Sequence, residues 1–172
     1  MKDCLLTIVM PSYNIQDYLS KGIQSFQQVN SKYKEKFEVL IVNDGSTDDT
    51  EKVAEELLGK DPLLNGRVIT KENGGHGSTI NRGIQEAKGK FFKVIDGDDW
   101  VIPSEFEKFL NSLETIDTEM IITDFTEQHV YNGTAIRNDF IDKYEVGNIY
   151  MGIPDVRIPM HSVTYKTSIL SK

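Results

Sequence analysis

Glu38-Val39-Leu40-Ile41-Val42-Asn43-Asp44-Gly45-Ser46 sets an unbroken apolar run against an abrupt polar turn. A short run rich in β-branched residues and closed by Asn, Asp and Gly reads as a buried strand ending in a loop. Val53, Ala54, Leu57 and Leu58 follow at helical spacing, with acidic residues near the helix start, where its dipole favours them. The same succession recurs on both sides. Upstream, Leu5 to Met10 closes on Pro11-Ser12, and Tyr18, Leu19, Gly22, Ile23 and Phe26 then share a helical face. Downstream, Arg67 to Lys71 is a third strand, and a glycine-rich loop from Asn73 to Ser78 leads into a helix carrying Ile80, Ile84 and Ala87. Phe91 to Ile95 is a fourth strand that runs into Asp96-Gly97-Asp98-Asp99. Pro103 suits the first turn of a helix with Phe106, Phe109, Leu110 and Leu113 inward, and Met120 to Thr123 is a fifth strand.

Strands alternating with helices predict an α/β fold with a mostly parallel sheet flanked by helices. After Asp124 the pattern changes. Gln128 to Tyr131 and Thr134 to Arg137, around Asn132-Gly133, predict an antiparallel hairpin, and His161 to Tyr165 a further strand. The expectation is one domain over residues 1–172, with an α/β part over 1–125 and a less regular part over 126–172. The last residues follow a new ordered segment, so a longer parent protein is expected.

Composition narrows the classes. A 38% hydrophobic and 27% charged chain is globular, and a net charge of −8 excludes a general nucleic-acid binder, which needs clustered Lys and Arg. A phosphorylated small ligand remains open, because a bound cation can bring phosphates to an acidic site. Cys4, the single cysteine, excludes a disulfide framework and fits a reducing compartment. Leu5 to Pro11 is too short to span a membrane and lacks a signal-peptide pattern.

The polar clusters share one address, since in an open parallel sheet ligands bind beyond the carboxyl ends of the strands. Pro11-Ser12-Tyr13-Asn14, Asn43-Asp44-Gly45-Ser46 and Asp96-Gly97-Asp98-Asp99 each follow a strand. Two carboxylates separated by one glycine can share Mg2+ or Mn2+, which take oxygen ligands and bridge phosphates. The competing reading is a solvated turn, disfavoured because adjacent carboxylates repel unless something offsets their charge. Asp44 also has a turn reading, with Ser46 or Thr47 capping the next helix. Asn73 to Ser78 exposes backbone N–H groups ahead of a helix, which suits an anion or makes a plain flexible loop; it matches neither common phosphate-loop pattern. On residue type alone, His76 reads as a solvated loop residue, Trp100 as a core anchor and Lys32 to Glu38 as a solvated surface. His129 and His161 receive no role.

Taken together, the segments Thr7–Asn14, Glu38–Asp48, Asn73–Ile84 and Gly89–Asp99 resemble the family 2 glycosyltransferases, in the order and spacing of that family over residues 5 to 115. The resemblance implies the Rossmann-like GT-A fold and transfer of a sugar, with inversion, from a nucleoside-diphosphate sugar, UDP-sugar by default, to an acceptor hydroxyl. It would place Pro11, Tyr13, Asn14, Asp44, Gly75, His76, Asn81, Asp96 and Gly97 at the nucleotide-sugar, with Mn2+ or Mg2+ on Asp98 and Asp96. The acceptor would be a glycan, a lipid-linked species or a protein. The protein would sit in the cytoplasm, at the inner face of a membrane only through parts outside this chain. Many members carry Ala-Arg-Asn-x-Gly in the third motif; here Ser78-Thr79-Ile80-Asn81-Arg82-Gly83 displaces the basic group or leaves it to His76. The family's general base lies well after the metal motif, so it is expected beyond Lys172; Asp124, Asp139, Asp142 and Asp155 are carboxylates without that context. The alternatives are a fragment that binds nucleotide-sugar without turnover, and a sugar-phosphate nucleotidyltransferase, whose glycine-rich basic loop after the first strand is missing at Pro11-Ser12-Tyr13-Asn14.

Overall fold

A computed structural model describes residues 4–129, 131–139 and 158–170. Four strands, β1 (Leu6–Ser12), β2 (Phe37–Asn43), β3 (Gly66–Thr70) and β4 (Phe91–Val94), run parallel. The connections between them carry α1 (Leu19–Gln27), α2 (Thr50–Gly59) and α3 (His76–Glu86), and α4 (Pro103–Leu113) follows β4 with its proline in the first turn. Beyond α4 come β5 (Met120–Ile122), the hairpin β6 (Phe125–His129) and β7 (Thr134–Asn138), and β8 (Val163–Lys166).

The sheet order is β3-β2-β1-β4-β8-β5, and the hairpin forms a separate two-stranded sheet. The parallel expectation therefore holds with one antiparallel strand, β8, which lies between β4 and β5 and pairs with both. β1 and β2 are buried at every residue, which is why they read as apolar runs without alternation. Leu6, Ile8 and Met10 meet Ile23, Phe26, Ala54, Phe106 and Leu110 on one face of the sheet; Val9, Leu40, Val42 and Phe92 meet Ile80 and Ile84 of α3 on the other.

Four local expectations need correction. Tyr18 precedes α1 and is 65% exposed, because its ring falls outside the face that Leu19, Ile23 and Phe26 bury. Trp100 is only partly buried and lies under a lysine, with Lys21 Nζ 3.1 Å from its ring centroid; it sits in the loop before α4, where a cation covers the ring face that a core would otherwise cover. The stretch from Lys32 to Glu38 is not all solvated surface. Lys34 is buried against Asp61 and Glu38 against Arg67, so each charge is neutralised by a partner distant in sequence. Neither Ser46 nor Thr47 caps α2. Asp48 accepts from the Thr50 N–H at 3.0 Å, while Ser46 accepts from the Asn14 N–H at 3.0 Å.

No helix among the described residues is long and apolar enough to cross a membrane. Asp142 and Asp155 lie outside the described residues.

Candidate functional site

The carboxyl ends of β1, β2 and β4 open on a cleft of about 500 Å³. Pro11, Tyr13, Asp44, Gly75, His76, Asp96, Gly97 and Asp98 line it, so three turns far apart in sequence converge as the sheet topology requires. Ser12, Ile15, Asn73 and Thr79 complete the lining. Asn14 and Asn81, grouped with these residues by sequence, are not part of it. Asn14 instead ties the turn after β1 to the turn after β2: at φ +50° its side-chain oxygen accepts from the Thr47 N–H at 2.8 Å. Asn81 is exposed on α3.

At the β2 end, Asp44 is buried and accepts from Lys71 Nζ at 2.7 Å, the Gly74 N–H at 3.0 Å and the Gly75 N–H at 2.8 Å. Burial by itself would raise its carboxyl. The hydrogen bonds from Lys71, Gly74 and Gly75 and the lysine charge outweigh that and hold it below the usual carboxylate range. Asp44 is therefore ionised at neutral pH although it is almost out of contact with water.

At the β4 end the acidic turn is drawn against the turn after β1. A Cβ on Gly97 would meet Ile15 Cδ1, Pro11 O at 2.9 Å and Ser12 Oγ at 3.0 Å, so only glycine lets these turns touch. His76, the first residue of α3, crosses the cleft and donates from Nε2 to Asp96 Oδ1 at 2.9 Å. The solvated-loop reading of His76 therefore misses a contact that spans twenty residues of sequence. Asp99 is raised above the usual carboxylate value, by burial first and by repulsion from Asp98 and Asp96, with His161 opposing.

Sequence reasoning missed His161. One ligand atom each from Asp96, Asp99 and His161 lies within 4.8 Å of the others, and the buried His161 Nε2 has no hydrogen-bond partner. Two carboxylates and one imidazole suit a divalent metal such as Mn2+, and a cation would relieve the repulsion that raises Asp99. The residues thus fit the ion that the acidic turn suggested, with a nitrogen ligand added from the turn before β8. Asp98 stands outside this cluster and is exposed in the cleft. The only available signal for His161 was its place at the start of a late strand read over His161 to Tyr165, which does not say where that strand inserts; the strand itself begins at Val163 and leaves His161 in the turn before it.

Two carboxylates considered as a general base are otherwise engaged. Arg137 of β7 binds Asp124 at 3.1 Å and also pairs with Asp139.

The family model described as glycosyl transferase family 2 matches residues 7–169. RP339 of Rickettsia prowazekii, named only as an uncharacterised glycosyltransferase, is 37% identical over 118 residues, which is 69% of this chain and 35% of that protein. EpsJ of Bacillus subtilis, named in the same way, is 31% identical over 125 residues, 72% of this chain and 35% of that protein. The chain thus spans about a third of the length of these relatives. Among solved structures, residues 1–349 of S. aureus TarS in complex with UDP superpose with a TM-score of 0.75 at 22% identity, covering 96% of this chain and 48% of that one. The mannosyltransferase PcManGT from Pyrobaculum calidifontis, in complex with GDP-Man and Mn2+, gives 0.61 at 19% identity over 70% of this chain and 35% of that one. At these identities the superpositions establish the GT-A fold alone.

Proposed function

From the premise that the chain belongs to glycosyl transferase family 2, we propose that its cleft binds a nucleoside-diphosphate sugar, a UDP-sugar, for transfer to an acceptor hydroxyl with inversion. The observation that carries this reading is the placement of Asp44 and the Asp96-Gly97-Asp98 turn in one cleft at the ends of β2 and β4. Pro11, Tyr13 and Asp44 take the base and ribose. Gly75 and His76 meet the diphosphate at the start of α3, where the helix dipole favours an anion; the Gly75 N–H itself is held by Asp44, so the contact falls to the His76 side chain and the N–H groups that follow it. TarS structures hold UDP and, in another crystal, UDP-GlcNAc, which makes UDP the first nucleotide to test.

Asp96 and Asp98 are the residues that would hold Mn2+ or Mg2+, and His161 and Asp99 extend that set. Bound there, a divalent ion supplies Lewis-acid stabilisation of the negative charge on the departing diphosphate. The chain's own part is to fix the donor. Gly97 lets the acidic turn close on Pro11, and His76 stands where it can exchange its bond to Asp96 for one to a phosphate oxygen. Inversion requires a carboxylate to take the proton of the acceptor hydroxyl on the face opposite the leaving group. Asp124 and Asp139 are held by Arg137, so that base is assigned to neither. The acceptor is a glycan, a lipid-linked species or a protein.

Calorimetric titration with UDP and UDP-GlcNAc, with and without MnCl2, tests the reading. Binding that needs Mn2+ and is lost in Asp98→Ala is expected. No binding under any of these conditions refutes it.

A further inference from the structure

Lys71 is the first residue after β3, outside the cleft lining, and no segment of the third motif points to it. Its ammonium nevertheless sits at the centre of the glycine loop. An ammonium has three protons to donate, and Nζ has three acceptors around it: Asp44 Oδ1 at 2.7 Å, Ser78 Oγ at 2.8 Å and the Glu72 carbonyl. The pair is largely shielded, with side-chain exposures of 20% for Lys71 and 4% for Asp44. The loop is built around it. A Cβ on Gly74 would lie 2.8 Å from Ser78 Oγ and 3.0 Å from Lys71 Nζ, and the Gly74 and Gly75 N–H groups both turn inward to Asp44.

This arrangement limits what Asp44 can do. A carboxylate offers about four acceptor sites, and Lys71, Gly74 and Gly75 occupy three of them, while the Ser78 hydroxyl, 3.4 Å from Oδ1, gives its one proton to the Gly75 carbonyl at 2.7 Å. Asp44 also lines the cleft, so one acceptor direction is left for a ligand. Ile80 of the third motif is packed against the core face of β1, β2 and β4 and brings no charge to the carboxylate. The positive charge beside it comes from Lys71, in the turn after β3.

We infer that Lys71 is a positioning residue of the nucleotide site, which fixes the Asp44 carboxylate as a single acceptor for a ring N–H of the base and folds the loop that delivers His76 to Asp96. Lys71 touches no ligand; it acts through Asp44. A base with a ring N–H at its pairing edge, such as uracil, satisfies that acceptor. Cytosine presents a lone pair at the same ring position and is repelled. The inference rests on the donor-site reading above and adds to it the residue that sets base selectivity.

The test compares UDP and CDP binding by calorimetry, in Mn2+, for the native chain, Lys71→Met, Asp44→Asn and the double variant. Lys71→Met should weaken UDP by about 10- to 100-fold, in line with breaking a buried charge pair, and shrink the preference for UDP over CDP. The double variant should bind as Asp44→Asn does, because Lys71 acts only through that carboxylate. Unchanged UDP binding by Lys71→Met overturns the inference. So does an equal loss of UDP and CDP with effects that add in the double variant, since that marks a loop that has merely loosened. Should Lys71→Met lose its cooperative thermal transition, Ser78→Ala replaces it, with an expected loss of about 3-fold and the same reduced preference; unchanged selectivity there is equally fatal. Native protein that binds no UDP sinks the donor-site reading and this inference together, whereas native binding with an indifferent Lys71→Met sinks this inference alone.

Discussion

Gly97 is the residue on which the two halves of the cleft meet. Any Cβ there encounters the Pro11 carbonyl at 2.9 Å, and a backbone atom cannot swing aside as the tip of Ile15 can. Gly97→Ala should therefore cost about 1–3 kcal/mol in urea denaturation, as overpacking does, and weaken UDP in the calorimeter. Native stability in that variant would show that the turns have slack. His76 presents the opposite case. It is half exposed and its side chain's hydrogen bond crosses the cleft to Asp96, so His76→Ala should shift stability by no more than about 0.5 kcal/mol while weakening UDP several-fold. A large drop in melting temperature would make it a structural residue instead. The sequence exposed Asp44, Asp96 and Asp98 because each follows an apolar strand and neighbours a glycine. Lys71, His161, Lys34 and Glu38 were hidden for one shared reason: their chemistry depends on partners brought near only by folding. Asp61 is twenty-seven residues from Lys34, and Arg67 twenty-nine from Glu38.

At the scale of elements, α3 is the part on which the site leans most, since it carries His76 at one end and packs Ile80 and Ile84 on the sheet. Its close approach to β1 depends on Gly83, where an added Cβ would collide with both methyls of Val9, Cγ1 at 2.8 Å. Gly83→Ala should push the helix outward, cost about 1–3 kcal/mol by denaturation and weaken UDP, because His76 moves with the helix. Val9→Ala, combined with it, frees the space and should restore much of the UDP affinity. A double variant no better than the sum of its parts would rule out this contact as the cause. β1 and β2 were legible as compact apolar runs ended by a turn, and β3 and β4, interrupted by Arg67 and Lys93, through their place between helical patterns. The insertion of β8 between β4 and β5 was not, because local pattern marks a strand without naming its neighbours. The same limit applies to the hairpin: Asn132-Gly133 announced its turn, with Gly133 at φ +70°, but nothing local showed that β6 and β7 would form a sheet of their own.

For the molecule as a whole, the buried charges decide how stability responds to pH. Asp44, Asp48 and Asp61 are all held below the usual carboxylate value, hydrogen bonds having outweighed the effect of burial. A group whose folded value is depressed in this way contributes stability above its unfolded value and loses it as pH falls through the folded one, so acid should unfold the protein. Lys93 works at the other end. It is buried in β4, its Nζ reaches Thr123 Oγ1 at 3.3 Å, and no carboxylate pairs with it among the described residues. Burial alone lowers it from 10.5 to about 8. Between those values the unfolded chain holds more protons than the folded one, so stability should rise with pH across that window. The gap corresponds to roughly 3 kcal/mol, which is the order of the gain expected at pH 7 from Lys93→Met, a side chain of similar length without a charge to desolvate. Cys4 opposes this above pH 9, since burial raises its thiol from 9.0 to about 11 and the unfolded chain then releases that proton first. Urea denaturation is therefore best followed in a Cys4→Ala background. There the native lysine should give stability that climbs from pH 8 to pH 10, and Lys93→Met a higher and flatter line. A flat native profile together with a destabilised Lys93→Met would mean that the ammonium is carried charged inside the sheet, with its cost already met by the surrounding fold.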